Sequence, residues 1–518
     1  MDAILTIFTV FNKIVFLLIT SVLLFLVIIL FAECIAALLP ARSKNKYSNS
    51  NEPRPSVGIL VPAHNEAVGI AQTLKTLLPQ LTSQDQLIVI ADNCSDRTAD
   101  ICRQFEVTVL ERFNNQEKGK GYALDYGLRF LAPNPPEVVI VFDADCYVHP
   151  GTIDELAKLA KISGRPVQPI NILHQPAKAN PKSVISALAF TVKNLVRPTG
   201  LHWLGLPCLL TMGTAFPWSV ISQAPLATNN IVEDMQLGID LAIAGNNPLF
   251  CPQGKVTGFL PQKEQAAKSQ KVRWIHGHLQ TLKTQVPRLI KAAIIQRRFE
   301  LLAIAFDLCI PPLSLLSIAW LITLVAGLFI GFWQQYWTIS ILSIITGLMI
   351  FLAVIGSWFK FARQDIALIN LLSIPFYLLW KLPIYFAFLI KPQQAWIRTD
   401  RDLNPNQSPN LAPIADFIKP GFSLSSNICA IKEQVLSPIA NEDEAILFHV
   451  QTGSYYTLNE VGIFIWNLIQ KPQTIGYLCE SIVQEYAVTP EICLNDLFAI
   501  IEQLAIKDLI EVNNEIAV

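Results

Sequence analysis

No charged residue falls between Lys13 and Glu33, or between Asp307 and Lys360. Such runs leave few folds open, because hydrocarbon admits only helices or closed barrels that satisfy their own backbone. Leu, Ile, Val and Phe dominate the first run, and about 20 apolar residues cross a bilayer as a helix. The run is too long for the apolar core of a signal peptide and lacks a small-residue cleavage site, so it reads as an anchor. Arg42, Lys44 and Lys46 follow at once, which by the positive-inside tendency puts residue 42 onward in the cytoplasm. The second run is long enough for two spans, with Pro311-Pro312 at its start and a turn near Gln334-Gln335. A third apolar segment, 366–390, carries Lys381 in its middle, with Asn370, Pro375 and Pro383. Its roughly fifteen Ile, Leu and Phe residues contribute about −7 kcal/mol, and the central Lys costs about 2.5 to 3.5. Asn and Pro bring the sum near balance. A crossing helix and a helix lying in the interface both fit, and the number of crossings stays open.

The composition agrees. Of 518 residues, 15% are charged and 52% apolar, against about 25% charged in soluble proteins; the mean hydropathy is +0.41. These values exclude a disordered chain and an ordinary soluble enzyme. Lys plus Arg (39) nearly equals Asp plus Glu (40), so no basic surplus exists to hold a nucleic acid. The ten cysteines include no CxxC pair, which argues against a disulfide framework or a zinc site and for a reduced compartment.

After a polar linker at 40–56, residues 57–142 alternate strand and helix. Val57–Val61, Gln86–Ala91, Thr108–Glu111 and Glu137–Phe142 read as short buried strands, with helical patterns near 67–81, 95–104 and 119–131. That alternation predicts an open, mostly parallel sheet, which binds ligands at the carboxyl ends of its strands. Polar clusters stand at three such ends: His64-Asn65-Glu66, Asp92-Asn93 and Asp143-Ala144-Asp145. One cluster alone would read as a helix cap; three on one sheet edge read as a nucleotide-type site. Residues 182–206 mix apolar residues with Lys193, Arg197 and Trp203, and fit either a helix on the membrane surface or an internal helix. Residues 398–427 read as a Pro-, Asn- and Ser-rich linker. Residues 428–518 read as a last small domain, with strands near 429–436, 444–450 and 454–458. Its helices fall near 460–469, 475–486 and 490–507, the last opened by Thr489-Pro490.

Asp143 and Asp145, two apart in extended chain, point roughly the same way. Adjacent ionised carboxylates call for a cation, and hard oxygen ligands suit Mg²⁺ or Mn²⁺ bridging to a diphosphate. Glu233-Asp234 opens a helical pattern, where acidic residues stabilise a helix start or supply a general base for an acceptor hydroxyl. Gln270, Arg273 and Trp274 fall on one helical turn. Arg can clamp a pyrophosphate and Trp can stack on a sugar; an amphipathic interface helix would show the same residues. Lys118-Gly119-Lys120-Gly121 is no P-loop, and lines a nucleotide pocket or caps a helix. His276-x-His278 lacks metal-ligand spacing and reads as structural.

Pro62-Ala63-His64-Asn65-Glu66, Asp92-Asn93, Asp143-x-Asp145, Glu233-Asp234 and Gln270-x-x-Arg273-Trp274 occur in this order. Together they resemble the membrane-integrated glycosyltransferase family 2 enzymes, the group of cellulose, chitin and hyaluronan synthases, over about residues 55–400. The resemblance implies an α/β GT-A (nucleotide-diphospho-sugar transferase) domain at 55–300 with interface helices, membrane helices at 1–40 and 301–397, and an inverting transfer from a UDP- or GDP-linked sugar to a saccharide or lipid-linked acceptor. It implies a plasma-membrane location with the catalytic domain in the cytoplasm. By the same resemblance Asn65, Glu66, Asp92, Lys120, Asp143 and Arg273 bind the nucleotide sugar. Asp145 and Asp143 hold Mg²⁺ or Mn²⁺, Asp234 is the catalytic base, and Glu233, Gln270 and Trp274 meet the acceptor. The chain departs from the family at Val232, where Thr is usual, and at Thr211-Met212-Gly213-Thr214-Ala215, which lacks the Cys-containing acceptor segment. The rival readings are a non-catalytic membrane scaffold and a single-sugar transferase acting on a peptide or lipid.

Glu444–Leu447, Gly453-Ser454-Tyr455-Tyr456-Thr457-Leu458-Asn459-Glu460 and Ile465-Trp466 resemble the PqqD family over residues 428–512. That likeness implies a small α+β, winged-helix-like module able to bind a peptide by strand addition.

Overall fold

The computed structural model describes residues 2–40, 53–174, 181–227, 232–259 and 264–390 of the first part of the chain. Of the C-terminal part it describes 427–430, 435–440, 444–449, 454–471, 473–486, 497, 500–501, 504 and 509–513. The chain divides into two compact units, Met1–Gln407 and Ser408–Val518.

In the first unit, β1 (Val57–Ala63), β2 (Gln86–Asp92), β3 (Thr108–Arg112) and β4 (Val138–Val141) form the parallel half of a sheet, ordered β3-β2-β1-β4. Between them lie α2 (Ile70–Leu77), α3 (Thr98–Arg103) and α4 (Lys120–Leu131), after α1 (Asp2–Leu38) at the N-terminus. Alternate residues of β1 serve opposite faces, as the pleat requires. Ile59 and Val61 pack with Ile70, Leu74 and Leu77 of α2; Leu60 packs with Ala123, Leu124 and Leu128 of α4. Helices on both faces explain why β1, β2 and β4 read as continuous apolar runs, whereas β3, expected to be buried, is an edge strand with Thr108 and Glu111 exposed.

The rest of the sheet corrects the expected mostly parallel topology. It continues through β5 (Cys146–Val148), β6 (Val167–His174), β7 (Thr214–Pro217) and β8 (Leu249–Phe259) in the order β4-β7-β6-β8-β5. β7 runs antiparallel to β4 and to β6, and β5 antiparallel to β8, so the eight-stranded sheet is mixed.

Around this domain lie α5 (Thr152–Ser163), α6 (Pro181–Thr191), α7 (Arg197–Trp203), α8 (Trp218–Ile221), α9 (Glu233–Ile243), α10 (Glu264–Gln296) and α11 (Phe299–Cys309). A π-helical stretch, Val192–Val196, joins α6 to α7. Then come α12 (Leu313–Gln334), α13 (Thr338–Phe361) and α14 (Ile374–Ile390). Thr9–Leu38, Leu313–Gln334, Thr338–Phe361 and Leu368–Phe388 are long and apolar enough to cross a membrane. Their outward Leu18, Phe329, Phe332, Trp333, Ile341 and Phe351 are exposed. The turn falls at Gln335, in the left-handed region at φ 51°, and Pro312 caps α12.

The stretch 182–206 is packed inside rather than laid on a surface in its second half. Arg197, Gly200 and Leu201 are buried, and a Cβ on Gly200 would stand 1.9 Å from the carbonyl oxygen of Glu33 in α1. Arg197 Nε donates to Glu33 Oε2 at 2.7 Å, and its Nη2 donates to the Asp307 carbonyl at 2.6 Å and to the Asp307 carboxylate. One guanidinium thus ties α1, α7 and α11 together.

The second unit holds an antiparallel meander of β10 (Val435–Ala440), β11 (Glu444–His449) and β12 (Ser454–Asn459). A second sheet runs β13-β9-β14, from Gln473–Thr474, Asn427–Ala430 and Ile510–Asn513. The strand expected at 429–436 is therefore two strands, β9 and β10, in different sheets. α15 (Glu460–Leu468) and α16 (Ile475–Tyr486) bring Ile465, Trp466, Ile475 and Leu478 into one core with Ile428 and Leu447. Of the helix expected at 490–507, residues 497, 500, 501 and 504 are helical. Thr489-Pro490 and residues 398–426 of the expected linker lie outside the described residues, and its last residue, Asn427, begins β9.

Candidate active site

The three polar clusters meet at the carboxyl ends of β1, β2 and β4, where a cavity of ≈ 900 Å³ opens. His64, Glu66, Asp92, Asn93, Asp143 and Asp145 all line it. Local hydrogen bonds set these loops. His64 Nδ1 lies 2.7 Å from the Asp92 carbonyl. Asn93 stands at φ 51°, a left-handed conformation that Asn tolerates, and its Oδ1 accepts from the Asn114 N–H at 2.8 Å. Thr73 Oγ1 donates to the Ala144 and Cys146 carbonyls, each at 2.9 Å, which holds the turn carrying Asp143 and Asp145.

Asn65 is placed differently from expectation. It is absent from the cavity lining, and its Oδ1 accepts from the backbone N–H groups of Ser95 (2.7 Å) and Asp96 (3.2 Å). It therefore braces the loop after β2. Asp92 lines the cavity while paired with Arg112 at 2.7 Å, both less than a tenth exposed. Arg112 also donates to the Glu117 carbonyl at 2.8 Å. No local pattern marks Arg112, because its partner lies one strand away in the register Asp92↔Arg112.

Lys120 is the centre of the charge arrangement. It opens α4 directly after Gly119, whose φ of 125° suits glycine. Its ammonium donates to Asp143 at 2.7 Å and to both oxygens of Asp234 at 2.9 and 3.0 Å, and Glu233 lies 3.8 Å away. Glu233 and Asp234 sit in the first turn of α9, which favours negative charge. Burial raises the Asp234 and Glu233 carboxyls above the usual range, and Lys120 pulls each part of the way back. For Lys120, burial favours loss of the proton, but Asp143, Asp234 and Glu233 outweigh it and hold the ammonium well above its ordinary value. The arrangement can hold a cationic or metal-bound phosphate ligand on one side and take up a proton on the other.

Gln270, Arg273 and Trp274 come from α10, as one helical turn predicts, and all three line the cavity. Trp274 packs against Phe190 of α6, ring centres 5.8 Å apart. Gln270 is buried, and its Oε1 has no hydrogen-bond partner. His276 and His278 are buried on the carbonyls of Ile384 and Ile310, each at 3.2 Å, so both serve helix packing. Among the described residues no three His, Cys, Asp or Glu side chains form a metal cluster. Sequence reasoning missed that the cavity runs on past Lys193, Lys271 and His278 to Leu313, Tyr377 and Lys381. The available signal was Lys381 itself, since an ionisable residue in an apolar span is functional by default.

Residues 53–277 match the family model described as glycosyltransferase like family 2, and residues 444–510 match that of coenzyme PQQ synthesis protein D. The probable glycosyltransferase YdaM of Bacillus subtilis is 38% identical over 112 residues, which are 20% of this chain and 26% of that protein. The uncharacterized protein MJ1222 of Methanocaldococcus jannaschii is 30% identical over 122 residues, 23% of this chain and 49% of that protein. The chain thus spans about a quarter and a half of these two relatives. The mannosyltransferase PcManGT of Pyrobaculum calidifontis, solved with GDP-Man and Mn²⁺, aligns over 68% of this chain and 100% of its own, at 14% identity and a TM-score of 0.41. The chain carries a domain of the glycosyltransferase like family 2, followed by a PqqD domain.

Proposed function

We propose that the chain is a membrane-bound, inverting glycosyltransferase that moves a sugar from a nucleoside diphosphate sugar to a hydroxyl of a saccharide or lipid-linked acceptor. The observation that carries this reading is the Lys120 arrangement, in which one cation joins the strand-end Asp143 to Asp234 on α9. The nucleoside would lie over Glu66 and Asp92, and its diphosphate between Lys120, Asp143 and Arg273. The acceptor would enter past Gln270, Trp274 and Glu233. Asp143 and Asp145 suit a divalent cation, because two carboxylates are what Mg²⁺ or Mn²⁺ takes from protein when a diphosphate supplies further oxygens. Such an ion offsets the charge of the departing diphosphate. Asp234, buried and raised in pKa, takes the proton of the acceptor hydroxyl as that oxygen attacks the anomeric carbon and the bond to the diphosphate breaks.

Four helices of membrane-spanning length and apolarity support a reaction at a membrane, and Arg42, Lys44 and Lys46 favour the cytoplasmic face. In the PqqD domain the outer strands of the meander are β10 and β12, the two edges at which an added peptide strand would pair. The test is a panel of labelled nucleotide sugars offered to the full-length protein in membranes. Asp234→Asn is expected to bind donor normally and transfer about 10²–10⁴-fold more slowly. A fall in donor affinity with unchanged transfer at saturation would make Asp234 a binding residue instead.

A further inference from the structure

The cavity is electrically two-sided. Every carboxylate lining it comes from the ends of β1, β2 and β4 or from α9. The lining given by the π-helical stretch, α10 and α14 contains Lys193, Lys271 and Lys381 and no carboxylate. Lys381 is only 4% exposed. It lies 5.5 Å from the Trp380 ring centre, and Lys271 lies 5.6 Å from the same ring. Among the described residues no carboxylate is within ion-pair distance of Lys381. Lys182 lies 5.4 Å from that ring as well, and an aromatic face offsets only a part of the buried charge of Lys381.

Two further buried polar atoms face the same lobe unsatisfied: Gln270 Oε1 and His278 Nδ1. Unmet polar atoms of this kind are rare in native interiors. Burial and the neighbouring Arg197 lower the Lys193 ammonium to about 8, and Asp307 offsets only a part of this. Lys193 also rides on the π-helical stretch, a distortion frequent at functional sites. The lobe begins at Leu313 and Lys381, on helices of membrane-spanning length.

We infer that this lobe is an anion site for the phosphate of a lipid-linked acceptor, reached from the membrane, with Lys381 as its principal cation. The inference rests on the transferase reading and narrows its acceptor: the lipid phosphate sits at Lys381, and the sugar hydroxyl points to Asp234. Phosphate fits because its oxygens accept from both lysines, while a protonated oxygen or a bound water meets Gln270 Oε1. A donor diphosphate is served instead by Lys120 at the start of α4 and by Arg273 on α10.

The experiment measures binding rather than turnover, so it does not depend on finding the right donor. Full-length protein in non-ionic detergent is titrated with dodecyl phosphate, with dodecanol, and with UDP or GDP. Dodecyl phosphate is expected to bind at least tenfold more tightly than dodecanol. Lys381→Met is expected to weaken dodecyl phosphate about tenfold and leave the nucleotide unchanged, with Lys381→Arg restoring binding. Lys193→Met, a surface-of-cavity change, should weaken the same ligand and covers the case in which Lys381→Met does not fold. Equal binding of phosphate and alcohol, or unchanged binding in both Met variants, overturns the site. Loss of nucleotide binding in Lys381→Met would assign the lobe to the donor. Competition by inorganic phosphate as strong as by the alkyl ester would mean a soluble anion rather than a lipid. A protein that binds dodecyl phosphate as expected yet transfers no sugar would sink the transferase reading alone.

Discussion

Replacing Arg197 by Met tests how the membrane helix is fastened to the catalytic domain. Arg197, Glu33 and Asp307 have side chains 7%, 3% and 7% exposed. The variant keeps most of the volume but leaves two carboxylates buried without a cation. Breaking a buried pair costs about 3–5 kcal/mol, because the surviving charge stays in a low dielectric. Arg197 also satisfies the Asp307 backbone carbonyl at 2.6 Å, and a lone buried acceptor adds about 1–3 kcal/mol. The two terms share one side chain and do not simply add, so about 4 kcal/mol is the expected loss. That is a large part of the roughly 5–15 kcal/mol that stabilises a domain. The triple variant Glu33→Gln, Arg197→Met, Asp307→Asn removes all three charges and is expected to recover most of the loss. Denaturant titration of detergent-purified wild type, Arg197→Met and the triple variant measures both quantities. Arg197→Met within 1 kcal/mol of wild type, or a triple variant no better than the single, would refute the argument.

Lys120→Met should move the acid limb of kcat/KM to higher pH. Asp234 must be ionised to accept a proton, burial raises its pKa, and Lys120 is the group that lowers it; a pH profile shifted down or unmoved contradicts this. Removing divalent cations with EDTA, or changing Asp145 to Asn, should abolish transfer, with recovery on Mn²⁺ or Mg²⁺ in the wild type alone; full turnover in EDTA would end the metal role. Deleting residues 408–518 should leave transfer to a simple acceptor nearly intact, since every proposed catalytic residue lies in the first unit. Loss of transfer on deletion would make the PqqD domain a working part of the transferase.

β1, β2 and β4 are legible because continuous apolar runs broken by helical periods have few other solutions, whereas β3 carries only Val109 and Leu110 between the exposed Thr108 and Glu111. The mixed second half of the sheet was not legible. β6 and β8 pair Val167 with Leu249 across most of a domain, and such distant register leaves no local mark. The Gln270-x-x-Arg273-Trp274 turn was legible from helical spacing alone, and its place in the cavity follows from one face of α10. Lys120 was visible as a polar residue near a helix start. That its ammonium spans Asp143 and Asp234 depends on α9 returning to the sheet edge, 114 positions later. Asn65 shows the opposite case: its side chain resembles a ligand group by position, yet backbone donors of the next loop consume it.

The Arg197 tie also fixes an order of events during synthesis. Glu33 precedes Arg197 by 164 positions, and Arg197 precedes Asp307 by 110. The helix Asp2–Leu38 therefore leaves the ribosome carrying an acidic group whose partner has not been made. Its final seat beside Gly200 becomes available only when the catalytic domain has emerged. Loop-closure entropy over such separations makes this a late contact. Formation of this helix and its locking are thus separate steps, and a chain halted before Arg197 would hold an unfastened helix.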